Sequence, residues 1–295
     1  MYIVGFIKSL FTPRKFPSTL YFLANQAVVF FVFYGIGMAF NAERPEVWGA
    51  IGLAVNVVAM FAMLSPFGEA IVRYREKAKP INKDEYRYAY SLFEDICNTA
   101  RNVNHRLPQN INLYVMESND INAAATGHHT VIVTSTLLNL VDKGEVTAAQ
   151  FKAVLAHELG HISHSDTCLT LGIVVSGAIL QLVLCFYVFI VRMIGMLFAL
   201  LSTTLGAIFV IVFGRSVTFV FDCWSALGVL LTNATSRKDE FQADDFAGKC
   251  GYAEELCNFL QTLDPSTSRG NFLSVLVETH PKTVDRVETL KKHYC

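Results

Sequence analysis

The sequence predicts an α+β membrane protein, in which four transmembrane helices carry a mainly helical cytoplasmic domain with a small β-sheet. Three observations predict it. Hydrophobic residues make up 53% of the 295-residue chain and charged residues only 17%, against about 25% charged in soluble domains. The apolar excess is gathered into blocks long enough to cross a bilayer rather than spread through the chain. The stretches outside those blocks are polar, with one clear amphipathic helix and two segments rich in β-branched residues.

The first block is LYFLANQAVVFFVFYGIGMAF, residues 20–40. It exceeds the apolar core of a signal peptide and shows no cleavage site, so it is expected to stay as an anchor. The second is VWGAIGLAVNVVAMFAMLSPF, residues 47–67, and the short connector NAERPE makes the pair a helical hairpin. Lys8, Arg14 and Lys15 precede the pair and Arg73, Arg75, Lys77 and Lys79 follow it, whereas the connector holds only Arg44. Positive residues stay on the cytoplasmic side, so the N-terminus and the chain after residue 67 are both expected there.

Residues 80–166 read as a mixed α/β segment. KDEYRYAYSLFEDICNTARNV is an amphipathic helix, INLYVMES and HTVIVTSTLL are strands, and INAAATGHH between them is a turn or a sheet edge, with His128 and His129 exposed in the turn. Thr147 and Gln150 have the spacing of a capping box and open the next helix. From residue 168 to 232 the chain is apolar again, broken by Arg192, Arg215 and Asp222. Two spans fit, one at about 168–191 and the other at about 206–232. The three charges invite a functional reading, but interfacial snorkelling or an Arg215–Asp222 pair is the plainer account. The remainder is polar and helical.

Composition also excludes. A net charge of −1 offers no basic field for nucleic acid. The seven cysteines form no C-x-x-C pair, which argues against a disulfide framework and for a reducing compartment.

The chemistry concentrates in AVLAHELGHISH, residues 153–164. Residues four apart on a helix share a face, so His157 and His161 can reach one ion. Glu158 lies beside them, able to reach a water without binding the metal. This is the H-E-x-x-H arrangement of zinc hydrolases, in which the glutamate serves as general base. A catalytic zinc needs a third protein ligand and one open position. His164 shares the face, but three ligands along one straight helix span about 10 Å, too far for one ion. A better source is SRKDEFQADDFAG, residues 236–248, where Glu240 and Asp244 lie four apart. One carboxylate could bind the metal while the other orients a ligand histidine; alone, Glu240 would read as an ordinary solvated helical acid. The histidines precede the second apolar block and Glu240 follows it. They can share an ion only if that block crosses the membrane an even number of times.

Four motifs together resemble the HtpX family of membrane-bound zinc metalloproteases. VLAHELGHISHSDT is similar to its zinc helix, SRKDEFQADDFAG to its S-R-x-x-E-x-x-A-D element, INAAATGHHTVIVTSTLLNLV to its N-A-x-A-T-G region, and THPKTVDRVETLKK to its T-H-P segment. Ala124 stands where the family often has Phe, and Lys282 where it often has a second proline. The resemblance implies His157, His161 and Glu240 as ligands of one Zn2+ per chain, Glu158 as general base, and Asp244 as a partner that orients a ligand histidine. It implies a zincin-like catalytic domain and an endopeptidase of the cell inner membrane that cuts unfolded or misfolded membrane proteins at the cytoplasmic face, in stress response and quality control.

Three further residues are weighed as contacts. Asn122, with the backbone of 123–127, could bind an extended substrate as an added strand or be part of a tight turn. His280 and Arg286 could donate to the oxyanion of the reaction, or be a helix-start residue and an ordinary ion-pair partner. Asp166 could cap the zinc helix or contact a ligand. The chain then divides into residues 1–67, an N-terminal tail and transmembrane hairpin; 68–167, a first catalytic part with the zinc helix; 168–232, a second transmembrane pair; and 233–295, a second catalytic part with the third ligand. Two rival readings remain: a CAAX-prenyl-protease-like metallopeptidase, which would have more spans, and an inactive zinc-binding membrane scaffold, which would not need Glu158. The lipid bilayer and substrate proteins are the expected partners, and any regulatory partner is left open.

Overall fold

The computed structural model describes residues 2–262 and 283–294. It separates into two compact units. One takes in the described residues of 1–15, 62–169 and 234–295, the other residues 16–61 and 170–233.

The first unit is built around a four-stranded sheet. Its strands are β1 (Lys79–Pro80), β2 (Asn112–Met116), β3 (Ala123–Thr126) and β4 (Thr130–Thr134), in the order β1-β2-β4-β3. β2 and β4 run parallel, with Leu113 opposite Val131 and Val115 opposite Val133. Among the described residues β3 pairs only with β4, antiparallel, and so ends the sheet. The helices of this unit are α1 (Tyr2–Leu10), α4 (Pro66–Arg75), α5 (Arg87–Val103), α6 (Ser135–Asp142), α7 (Ala148–His164), the C-terminal part of α10 (Ser216–Lys249), α11 (Ala253–Thr262) and α12 (Thr283–Tyr294). One apolar core joins α5, α6, α7, α10, α11 and α12 to the sheet: Ile96 and Ala100 of α5, Leu137 of α6, Phe151, Leu155 and Leu159 of α7, Phe246 of α10, Leu256 of α11, Leu290 of α12, and Val131 and Val133 of the sheet.

Local chemistry moves two boundaries and the burial of one side chain from those predicted. The first amphipathic helix begins at Arg87 because Asn82 Oδ1 accepts from Asp84 N at 3.2 Å and holds the preceding residues in a turn. The second predicted strand stops at Thr134, whose hydroxyl accepts from Leu137 N and caps α6. His128, expected to be exposed, is buried, with the Tyr2 ring of α1 edge-on to it at 4.7 Å and Cys168 Sγ 3.5 Å away. The hydropathy of the turn carries no trace of the helix that covers it.

The second unit is made of apolar helices: α2 (Phe16–Ala39), α3 (Pro45–Met63), most of α8 (Asp166–Leu201), α9 (Thr203–Phe209) and the N-terminal part of α10. Four continuous helical stretches, Pro13–Ala39, Pro45–Met63, Asp166–Leu201 and Thr203–Lys249, are long and apolar enough to cross a membrane. The last two run well past the predicted limits of about 168–191 and 206–232. Arg192 interrupts the apolar run but not the helix, which breaks only at Ser202, and a π-helical stretch, Val210–Arg215, carries α9 into α10. Arg192, Arg215 and Asp222 are all exposed, and among the described residues no ion pair joins the last two.

Candidate metal centre

α7 starts on the capping box read from sequence: Thr147 Oγ1 accepts from Gln150 N, and Gln150 Oε1 from Thr147 N. Its C-terminal end is a sharp stop, because Ser165 adopts the left-handed conformation at φ +56° and Asp166 then begins α8. Within α7 the rings of His157 and His161 stand edge to face with centroids 4.8 Å apart, and their Nε2 atoms are 3.2 Å apart.

Glu240 of α10 meets both. Its Oε2 lies 3.4 Å from His157 Nε2 and its Oε1 3.3 Å from His161 Nε2. Among the described residues this is the group able to hold a metal ion. A tetrahedral ion with arms of about 2.0–2.1 Å has ligand–ligand edges of roughly 3.3 Å, so the donors already stand at coordination spacing. Gly160 permits the approach of α7 and α10. A Cβ there would come within 2.9 Å of Ala243 Cα and 3.1 Å of Phe246 Cβ.

The outward nitrogen of each imidazole is held by a carboxylate. His157 Nδ1 is 2.9 Å from Asp244 Oδ1, and His161 Nδ1 is 3.0 Å from Asp166 Oδ2. A carboxylate at Nδ1 keeps the proton there and leaves the Nε2 lone pair free for a metal. Burial disfavours a charged His157, but hydrogen bonds to Asp244 and then Glu240 outweigh it and raise its pKa. Burial likewise opposes charge on His161, and Asp166 and Glu240 raise it well above the usual range. An environment that attracts a proton to these rings attracts a metal cation for the same electrostatic reason.

Each carboxylate is in turn held by a cation. Arg286 of α12, itself buried, donates from Nε and Nη2 to the two oxygens of Asp244 at 2.8 and 2.6 Å, and its Nη1 is 3.3 Å from Glu240 Oε2. Burial alone would raise the Asp244 carboxyl, but the Arg286 charge and hydrogen bonds hold it down at about 2. Lys15 does the same for Asp166, with Nζ 2.7 Å from Oδ1. Burial again works against the charged carboxyl, and the Lys15 charge outweighs it and lowers the Asp166 pKa.

Glu158 points to the sheet edge. Its Oε2 accepts from the backbone N–H of Ala125 in β3 at 2.7 Å. Next to that strand, Asn122 turns its Oδ1 onto Ala123 N while its own N–H donates to Thr134 Oγ1. Asn122 thus braces the start of β3. Arg286 is committed to Asp244 and Glu240. His164 packs edge-on to Phe246 at 6.2 Å, away from the donor triangle. His280 lies outside the described residues.

His157, Glu158, His161, Glu240 and Asp244, named from the sequence, are brought together here, and Asp166, left between two roles, contacts His161. Sequence reasoning missed Lys15 as part of the centre, reading it as a charge flanking a span.

The model of Peptidase family M48 matches residues 89–294. Among curated relatives, "Protease HtpX homolog" of Campylobacter curvus is 25% identical over 92% of this chain and 95% of its own length. "Protease HtpX" of Psychrobacter sp. is 26% identical over 93% and 97%. A solved structure, that of S. mikatae Ste24p, aligns over 90% of this chain and 62% of its own at 21% identity and a TM-score of 0.49. The metal-type donor triangle, the four apolar helices and the family match lead to one statement: the chain belongs to peptidase family M48 and is a membrane metallopeptidase, related along nearly its whole length to HtpX proteases.

Proposed function

We propose that this chain is a zinc endopeptidase of the cell inner membrane that cuts unfolded or misfolded membrane proteins at the cytoplasmic face. The observation that carries the reading is the donor triangle of His157, His161 and Glu240 at 3.2–3.4 Å with Glu158 on the same helix turn. Two neutral imidazoles, one carboxylate and an open fourth position are the donor set of a catalytic zinc site. When bound, zinc supplies Lewis-acid polarisation of a carbonyl and lowers the pKa of a water.

The chain's own residues do the rest. Glu158 takes a proton from the attacking water and passes it to the leaving amine. The outer side of β3, where no further strand pairs among the described residues, takes an extended peptide as an added strand in exchange for the side-chain bonds now made there by Asn122 and Glu158. Main-chain pairing demands little of the peptide's side chains, which suits unfolded segments as substrates. Ala125 N–H, now bonded to Glu158, lies on that edge, so base and peptide-binding strand share one reference point. Arg286 keeps Asp244, and through it His157, in place. The cytoplasmic orientation is supported by the basic residues on either side of the first hairpin.

The test uses the full chain, purified in detergent under chelator, with zinc then restored and an unfolded model protein as substrate. The unsubstituted chain is expected to cut only with zinc. Glu158→Gln is expected to bind zinc equally and to cut about 10²–10⁴-fold more slowly. Zinc bound by both with cleavage by neither, membrane-protein substrates included, would replace this reading with that of a scaffold.

A further inference from the structure

The two ligand histidines are supported by two parallel chains of contacts. One runs His157–Asp244–Arg286, with the cation supplied by α12. The other runs His161–Asp166–Lys15, with the cation supplied from the N-terminal segment just ahead of the first apolar helix. Lys15 is 1% exposed, within the range of the core leucines. A buried ammonium is unfavourable without partners, and its nearest is Asp166 Oδ1 at 2.7 Å, with Asp239 Oδ2 at 3.8 Å. Asp166 uses its other oxygen for His161 Nδ1.

The neighbourhood explains why a fixed cation is needed. Asp166 follows the left-handed Ser165, where α7 has ended. It is not held by the helix that carries His161. Arg14 offers a competing partner, 3.8 Å from Asp166 Oδ1 and 3.2 Å from Asp239 Oδ1. A short bond from Lys15 fixes one oxygen and leaves the other aimed at the ring. The same segment makes a second attachment at the break, where Ser9 Oγ donates to Ser165 O at 3.2 Å.

We propose that Lys15 is a positioning residue of the metal centre, orienting His161 through Asp166, so that the segment ahead of the first span sets the affinity of the site. The inference rests on the assignment of His157, His161 and Glu240 as metal ligands. It concerns metal binding by the chain itself and is read without any peptidase assay.

The experiment compares zinc affinity, by competition with a chromophoric chelator, and the visible absorption of the cobalt-loaded form, on the full chain in detergent. Lys15→Met is expected to weaken zinc binding about tenfold, the lower end of the effect of partners around a ligand, and to shift the cobalt absorption. The Lys15→Met/Asp239→Asn double variant removes one charge of each sign, so its buried charges stay balanced. It is expected to show the same loss, and it carries the test if Lys15→Met does not fold. In an Asp166→Asn background, Lys15→Met is expected to add almost nothing, because the two act in series.

Unchanged zinc affinity and cobalt absorption in the folded double variant would overturn the proposal. So would a Lys15→Met loss that adds in full to that of Asp166→Asn. His161→Ala separates the two levels of the argument. If it binds zinc as tightly as the unsubstituted chain, the ligand assignment itself falls and this inference with it. If it loses zinc while Lys15→Met does not, only the inference falls.

Discussion

The two units bury polar groups in opposite ways. The first buries ions: Lys15, Glu69, Asp166, Glu240, Asp244 and Arg286 are all nearly inaccessible. The second buries only neutral polar side chains, Ser18, Asn25, Asn56 and Ser176, and every charged residue it contains is exposed. The contacts follow suit. In the first unit Glu69 collects Tyr2 Oη at 2.5 Å, the N–H groups of His128 and His129, and Thr130 Oγ1. In the second, Asn56 and Gln26 share the Ser176 hydroxyl between three helices, and Trp224 Nε1 donates to Asn25 Oδ1 across to a fourth. A metal centre needs charges that do not move, and buried ions must be matched by opposite ions. A bundle with a lipid-exposed exterior can hold its helices in register with uncharged amides at far smaller desolvation cost. The difference teaches that the first unit is the brittle one, where removing a single partner strands a charge.

The sharpest way to break this contrast is at Arg286. It matches two carboxylates, Asp244 and Glu240, and its own pKa is raised by them against the effect of burial. Arg286→Met leaves both acids buried without that partner. The expected loss is about 3–5 kcal/mol of stability in the metal-free chain, read as a fall in the detergent unfolding midpoint under chelator. A loss below about 1 kcal/mol would mean that buried charge is not what makes this unit brittle.

That pairing also marks how far the sequence could be read. His157, Glu158 and His161 were legible because helical spacing alone puts two rings on one face. Glu240 and Asp244 were legible because they repeat that spacing after an apolar block of even crossing number. The four spans were legible from hydropathy, but their ends were not. Helix continuation through Arg192 and the π-helical turn at Val210–Arg215 are backbone events that hydropathy does not register. Lys15 and Asp166 lie 151 positions apart and meet only because Ser165 breaks α7 in the left-handed region. No local pattern announces that contact. Arg286 was noticed as a donor, but its commitment to Asp244 depends on α12 packing into the core.

A pH experiment sharpens the contrast at a group that is neither a metal ligand nor bonded to one. Burial pushes the His128 pKa down from 6.5 to about 4, against a smaller upward pull from Glu69. The folded chain therefore keeps His128 neutral where the unfolded chain protonates it. Stability from this group is complete above the unfolded pKa and is lost as pH falls from about 6.5 toward 4. The expected loss is about 2 kcal/mol near pH 5, approaching about 3 kcal/mol below pH 4. His128→Gln should flatten the dependence of the unfolding midpoint between about pH 7.5 and 5. An unchanged slope would place the acid sensitivity elsewhere in the first unit.

The smallest effect is expected in the second unit, at Asn56. Its Nδ2 donates to Gln26 Oε1 at 2.5 Å and lies 3.1 Å from Ser176 Oγ. Asn56→Leu removes both contacts. The change also removes a cost, because Asn56 Oδ1 is buried with no hydrogen-bond partner among the described residues. Gln26 and Ser176 keep each other at 2.9 Å, and Ser176 still donates to Gly172 O. Interhelical hydrogen bonds between neutral side chains in membranes are worth about 0.6 kcal/mol on average and at most about 1.7. Asn56→Leu should therefore lower the unfolding midpoint only slightly, by less than a third of the Arg286→Met shift, and leave zinc affinity unchanged. A shift equal to that of Arg286→Met would remove the contrast between the units, because a neutral amide would then be as indispensable in the bundle as a buried cation is beside the metal ligands.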